Sequence, residues 1–224
     1  MSEDRDAERT ADARPLLRRG VYAIVDVDAC AAAGLDPERT AAAFVAAPLA
    51  ALQLRAKRAD DRTLLRLARA VARLCRAAGV PFVVNDRVDL ARLVAADGAH
   101  LGQDDLPPAE ARTLLGPGPL LGLSTHSVAQ VEAAAVAPVD YLGFGPLFAT
   151  RTKARPDPVV GLDGLRAAAA ASRHPLVAIG GIGLDALPAV RDAGAHAAAL
   201  VAALLEGGDP GRRIREAAER FATG

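Results

Sequence analysis

Along nearly the whole chain, short apolar runs alternate with longer stretches of helical spacing. The runs are rich in Val, Ile and Leu and predict strands over Val21–Val27, Ala51–Arg55, Phe82–Asn85, Ala99–Leu101, Leu121–Ser124, Tyr141–Phe144, Leu176–Ile179 and Ala198–Val201. Several are wholly apolar rather than alternating, which suits a parallel sheet buried on both faces. The Ala/Leu/Arg stretches predict helices beginning near Pro37, Asp60, Arg87, Pro107, Ser127, Leu162, Leu184 and Asp209. Asp36-Pro37, Asp60-Asp61 and Asp209-Pro210 put cap-forming residues where helices should start. Eight strand–helix units share 224 residues, about 28 each, which fits a lean (β/α)8 TIM barrel forming a single domain. The competing arrangement is an open doubly wound sheet, which requires a reversal of strand order. No shift in composition marks a second domain. Residues 1–14 are charged and without periodicity, so a flexible tail is expected there, followed by a barrel over residues 15–224.

Composition narrows the function. The chain carries 27 Lys+Arg against 27 Asp+Glu. That balance provides no field for electrostatic nucleic-acid binding. No apolar run approaches the roughly 20 residues that span a bilayer. Ser2–Arg14 lacks the apolar segment of a secretory signal. Cys30 and Cys75 form neither a disulfide framework nor a metal-ligand spacing. A cytoplasmic setting, without membrane or nucleic-acid partners, is expected.

A barrel of this kind works at the C-terminal ends of its strands, and polar residues collect there. The second strand ends Gln53-Leu54-Arg55-Ala56-Lys57. Side chains alternate along a strand, so Gln53, Arg55 and Lys57 share one face while Leu52, Leu54 and Ala56 share the other. The apolar set faces the helices and the polar set faces the mouth. Two cations there call for an anion such as a phosphate or diphosphate; the alternative is a charged strand end fraying into solvent. Asn85 and Asp86 end the third strand, where Asp86 is either a mouth carboxylate or a cap for the following helix. Asp104 or Asp105 follows the fourth, beside the turn at Pro107-Pro108. Carboxylates from adjacent strand ends, facing two cations, match the needs of a Mg2+–diphosphate site. Ser124 and His126 follow the fifth strand. His126 is either an acid–base group or a capping residue. A long connection after the sixth strand carries Thr150, Thr152 and Lys153, residue types that bind phosphate or simply line an exposed basic loop. Gly180-Gly181 after the seventh strand sits where such barrels hold phosphate on backbone N–H groups.

Six segments, taken together, are recognisable: Gln53–Lys57 (QLRAK), Asn85–Asp89 (NDRVD), Asp97–Pro107 (DGAHLGQDDLP), Gly122–Ser127 (GLSTHS), Asp140–Lys153 (DYLGFGPLFATRTK) and Ala178–Ile182 (AIGGI). In these the chain closely resembles the thiamine phosphate synthase family, in family order and over most of its length. The resemblance implies a (β/α)8 barrel that couples 4-amino-2-methyl-5-hydroxymethylpyrimidine diphosphate to a thiazole phosphate or its carboxylated form. It implies a Mg2+ cofactor and a dissociative reaction, in which diphosphate departs before the thiazole nitrogen attacks. A homodimer is a family-level expectation. Carried over by motif, Gln53, Arg55, Lys57, Asn85 and Lys153 would hold the pyrimidine diphosphate, with Ser124 on the pyrimidine side. Asp86 and Asp105 would bind Mg2+. Thr150, Thr152 and Gly181 would hold the thiazole phosphate, and Arg55, Lys57 and Lys153 would act in catalysis.

The chain departs from the family pattern at three positions. Ala56 replaces a Glu whose side chain would point away from the mouth. Ala197 replaces a Gly. Ala202 replaces a Ser that helps hold the thiazole phosphate; the N–H groups of Val201 and Ala202 remain as donors, and the missing hydroxyl is worth about 1 kcal/mol. Two other readings stand beside the synthase. One is a thiazole tautomerase using His126, which would leave Asp86, Asp105 and Lys153 without a diphosphate to serve. The other is a non-catalytic homologue that binds thiazole or thiamine phosphate, and Ala202 is its only support.

Overall fold

A computed structural model of the chain describes residues 17–149 and 158–223. The expected tail at residues 1–14 lies outside the described residues. Eight parallel strands pair in chain order: β1 (Gly20–Asp26), β2 (Ala51–Arg55), β3 (Phe82–Asn85), β4 (Gly98–Leu101), β5 (Leu120–Thr125), β6 (Tyr141–Phe144), β7 (Leu176–Ile179) and β8 (Ala197–Leu200). Closure comes from β1 pairing with β8, Gly20 opposite Ala197 and Ala23 opposite Leu200. The chain is therefore a (β/α)8 barrel, and the open-sheet alternative is eliminated. No helix among the described residues is long and apolar enough to cross a membrane.

The helices are α1 (Val27–Ala32), α2 (Pro37–Phe44), α3 (Asp61–Ala78), α4 (Val88–Leu93), α5 (Pro108–Leu115), α6 (Val128–Ala133), α7 (Gly161–Ala171), α8 (Leu187–Asp192), α9 (Ala202–Leu205) and α10 (Pro210–Ala222). Side-chain caps explain several starts. Asp36, Asp60 and Asp209 accept from the N–H groups of Arg39, Thr63 and Arg212 at 2.8, 3.0 and 2.9 Å, satisfying donors that the first turn leaves open. In α3, Leu64, Leu67, Ala68, Val71 and Cys75 are buried against the barrel, while Arg62, Arg66, Arg69, Arg73 and Arg76 line the outer face. That division follows the 3.6-residue period. Gly79 ends the helix at a φ of 64°, a conformation glycine adopts without penalty.

The core has two parts. Strand residues of one phase pack with the helices in the larger cluster. Residues of the other phase, including Tyr22, Ile24, Ala51, Val83, Leu120, Tyr141, Val177 and Ala199, fill the barrel interior. Three expectations need correction. Val27 opens α1 instead of ending β1, because the Asp26 carboxylate accepts the N–H of Ala29 at 2.9 Å and starts a helix. Val201 lies just beyond β8 rather than within it. The helix expected at Leu184 begins as a 3-10 turn, Leu184–Ala186, before α8.

Candidate active site

Strand phase builds the site. Tyr22 and Ile24 face inward on β1, so Asp26 also faces the mouth. On β2, Ala51 is in the inner cluster, which puts Gln53 and Arg55 on the same face, as the alternation predicts. Asn85 shares the inward phase with Val83, and His100 is its register partner on β4. Ser124 shares the phase of Leu120 on β5.

At the mouth the charges are interlocked. Arg55 forms an ion pair and hydrogen bond with Asp26, whose side chain is 2% exposed against 21% for Arg55. The Lys57 ammonium lies 3.4 Å from a carboxylate oxygen of Asp86. Asp86 in turn shares a hydrogen bond with Asp105, whose carboxylate also accepts the Gly102 N–H at 2.7 Å. Burial first, then the bond and charge of Asp105, push the Asp86 carboxyl up to about 6, while Lys57 pulls the other way. The backbone of Asp86 is left-handed, at a φ of 61°, and its N–H donates to the His100 carbonyl at 2.8 Å. That conformation costs about 1 kcal/mol in an ordinary residue and is concentrated at functional sites. It also removes the capping alternative, since Arg87 occupies the cap position of α4 and makes no side-chain cap bond. Asp105, rather than the exposed Asp104, joins the cluster.

Two juxtaposed carboxylates repel unless a proton or a cation lies between them. Among the described residues no group of three or more His, Cys, Asp or Glu assembles a metal cage. A pair of carboxylates facing an open mouth suits Mg2+, which takes one or two protein carboxylates and completes its shell with water and phosphate oxygens.

Below the mouth a continuous hydrogen-bonded chain crosses the barrel. The Gln53 side-chain amide donates to Tyr22 Oη at 3.0 Å. The Tyr22 and Tyr141 hydroxyls are 2.9 Å apart. Tyr141 Oη is 3.1 Å from His100 Nδ1, and His100 Nε2 is 2.9 Å from Ser124 Oγ. Both tyrosines are fully buried, and burial pushes the imidazole down to about 4. Inward-facing glycines make room for the rings: a Cβ at Gly122 would lie 2.2 Å from the Tyr141 ring and 2.5 Å from His100 Nδ1.

On the opposite rim, Gly180 and Gly181 adopt φ values of 98° and 64°. A Cβ at Gly181 would come within 2.4 Å of the Ala149 carbonyl oxygen. Close approach of the β6 and β7 loops therefore demands glycine here, whatever the ligand. Val201 and Ala202 sit at the start of α9, which has no side-chain cap. His126 Nδ1 lies 2.6 Å from the Gly145 carbonyl oxygen, and Ser127 caps α6 through the Gln130 N–H at 3.2 Å. Thr150, Thr152 and Lys153 lie outside the described residues.

Sequence reasoning missed Asp26, Tyr22, His100 and Tyr141. Their signal was available in part. Asp26 ends an apolar run as Asp86 does, the chain has only 2 tyrosines, and both are at inward phase within apolar strands.

A family model for thiamine monophosphate synthase matches residues 21–204. A thiamine-phosphate synthase of Myxococcus xanthus is 43% identical over 214 residues, covering 96% of this chain and 97% of that one. One from Synechococcus sp. (strain WH7803) is 48% identical over 165 residues, 74% of this chain, and there the match spans about half of the relative's length, 46%. Among solved structures, thiamine phosphate pyrophosphorylase from Pyrococcus furiosus superposes with a TM-score of 0.81 at 29% identity, covering 92% of this chain and 95% of that one.

Proposed function

The chain belongs to the thiamine monophosphate synthase family, and from that membership we propose that it joins a pyrimidine diphosphate to a thiazole phosphate, releasing diphosphate and forming thiamine phosphate. The observation that carries the reading is the composition of the mouth: Lys57 beside the Asp86–Asp105 pair and Arg55 held by Asp26, with Gln53 and Ser124 beneath them.

In this reaction the bond between the pyrimidine methylene carbon and the diphosphate oxygen breaks, and its electron pair leaves with diphosphate. The pyrimidine ring stabilises the resulting cation. The thiazole nitrogen then donates its lone pair to that carbon. No nucleophile or strong base is required from the protein, so catalysis rests on positioning and on stabilising the leaving charge. Arg55 supplies a forked donor set to diphosphate oxygens and is held in place by Asp26. Lys57 adds a point charge. Asn85 hydrogen-bonds at the same end, and Lys153 follows the departing diphosphate. Asp86 and Asp105 would hold Mg2+, which when bound neutralises diphosphate charge. Gly181 and the N–H groups of Val201 and Ala202 bind the thiazole phosphate, with Thr150 and Thr152 as further ligands.

The test is direct. Purified protein is given both substrates and Mg2+, and thiamine phosphate is followed after oxidation to its fluorescent product, with EDTA as control. Mg2+-dependent product supports the synthase. A folded sample yielding none, with the carboxylated thiazole also tried, overturns it.

A further inference from the structure

The chain of hydrogen bonds beneath the mouth has a direction, and the direction decides what its two ends offer a ligand. The Gln53 amide nitrogen can only donate, so Tyr22 Oη accepts from it at 3.0 Å. The Tyr22 hydrogen then goes to Tyr141 Oη, 2.9 Å away. Tyr141, having accepted, sends its own hydrogen to His100 Nδ1 at 3.1 Å. An imidazole nitrogen that accepts carries no proton, so the ring keeps its proton on the other nitrogen. With Nδ1 accepting, the proton sits on Nε2 and is donated to Ser124 Oγ at 2.9 Å.

The ends are thereby fixed. Ser124 Oγ accepts from below, which leaves its hydrogen free to be given to a ligand. Gln53 donates through nitrogen, which leaves its amide oxygen as an acceptor. That oxygen has no partner among the described residues, and no buried side-chain nitrogen or oxygen among them is unpartnered. The oxygen therefore opens onto the mouth. The reverse polarity would need Gln53 to accept from Tyr22, and would present an amide donor and a serine acceptor instead.

We propose that this hydrogen-bonded chain makes Tyr22, Tyr141 and His100 specificity-determining positioning residues, which polarise Gln53 as acceptor and Ser124 as donor and so select a 4-aminopyrimidine over its 4-oxo counterpart. The inference rests on the reading above that this mouth takes the pyrimidine diphosphate. A 4-aminopyrimidine has an amine to donate and an adjacent ring nitrogen to accept. The 4-oxo lactam reverses both, offering a carbonyl and a ring N–H. Sites built to hydrogen-bond a ligand reject the mismatched analogue strongly, because their own buried groups are left unpaired.

The experiment compares the 4-amino and 4-oxo pyrimidine diphosphates in the wild type and in Tyr141→Phe, by calorimetric Kd and by kcat/KM with saturating thiazole phosphate. The wild type should prefer the amino compound by about a hundredfold or more. Tyr141→Phe cuts the chain between its two halves and frees His100 to change tautomer, so the preference should collapse, chiefly through loss of affinity for the amino compound. In 15N spectra of the wild type, the resonance missing from His100→Gln should be that of an imidazole protonated on Nε2. If Tyr141→Phe does not fold, Tyr22→Phe breaks the chain one link earlier. Equal binding of the two compounds by wild type, an equal loss of both in the variant, or a proton on Nδ1 would overturn the inference. Turnover without discrimination sinks the inference and leaves the synthase standing. Discrimination in Kd without turnover does the reverse, and binding of neither compound removes both.

Discussion

Replacing Asp26 separates two jobs that one carboxylate performs. It caps α1 through the Ala29 N–H at 2.9 Å and it holds Arg55. Asparagine caps nearly as well as aspartate but carries no charge. Asp26→Asn therefore removes the ion pair and keeps the cap, whereas Asp26→Ala removes both. Breaking a fully buried pair costs about 3–5 kcal/mol, and an exposed one less than about 1 kcal/mol. Here Asp26 is 2% exposed and Arg55 21%, so the abandoned guanidinium can turn partly into water. An intermediate loss of about 2 kcal/mol is expected for Asp26→Asn. The lost cap adds about 1 kcal/mol in Asp26→Ala. At about 3 °C per kcal/mol for a domain of this size, the melting temperature should fall by about 6 °C and about 9 °C respectively. Activity should follow the ion pair alone. Both variants should lose at least about tenfold in kcat/KM for the pyrimidine diphosphate, mostly as a higher KM, because Arg55 is no longer oriented. Thermal melts by circular dichroism and the fluorescent product assay measure the two effects. Equal melting temperatures would deny the cap a role. Full activity in Asp26→Ala would show that Arg55 is positioned without Asp26.

Asp86→Asn should abolish the Mg2+ dependence of turnover and lower the rate by about a hundredfold or more; a normal Mg2+ titration would remove Asp86 from the metal. Stability should fall in acid through His100. Its folded pKa, about 4, lies below the unfolded value of about 6.5, so below that pH the unfolded chain binds a proton that the folded one refuses. The contribution is complete above about pH 6.5 and declines by up to about 3 kcal/mol as pH falls to 4. Urea midpoints across this window should slope less in His100→Gln, and identical slopes would refute the assignment. Gly181→Ala forces a Cβ to within 2.4 Å of the Ala149 carbonyl at a φ of 64°. It should cost about 2–3 kcal/mol in a thermal melt and raise KM for thiazole phosphate more than for the pyrimidine substrate.

The strand–helix rhythm was legible in the sequence because burial on both faces leaves each strand an apolar run, and helices bounded by Asp or Pro announce their starts. Strand parity alone put Gln53 and Arg55 on one inward face, since successive side chains must alternate. Motif resemblance then supplied the chemistry of Asp86, Asp105 and Ser124. Tertiary structure decided the rest. The Asp86 alternatives could not be separated until its left-handed backbone and its contact with Asp105 were seen, because those depend on β3 lying beside β4. Asp26 pairs with Arg55 across 29 residues of sequence, and Tyr22 meets Tyr141 across 119; no local pattern encodes such distances. The requirement for glycine at position 122 became visible only with the Tyr141 and His100 rings in place. Barrel closure brings β1 against β8, and that single long-range pairing sets the circular order in which the strand ends face one another around a common mouth.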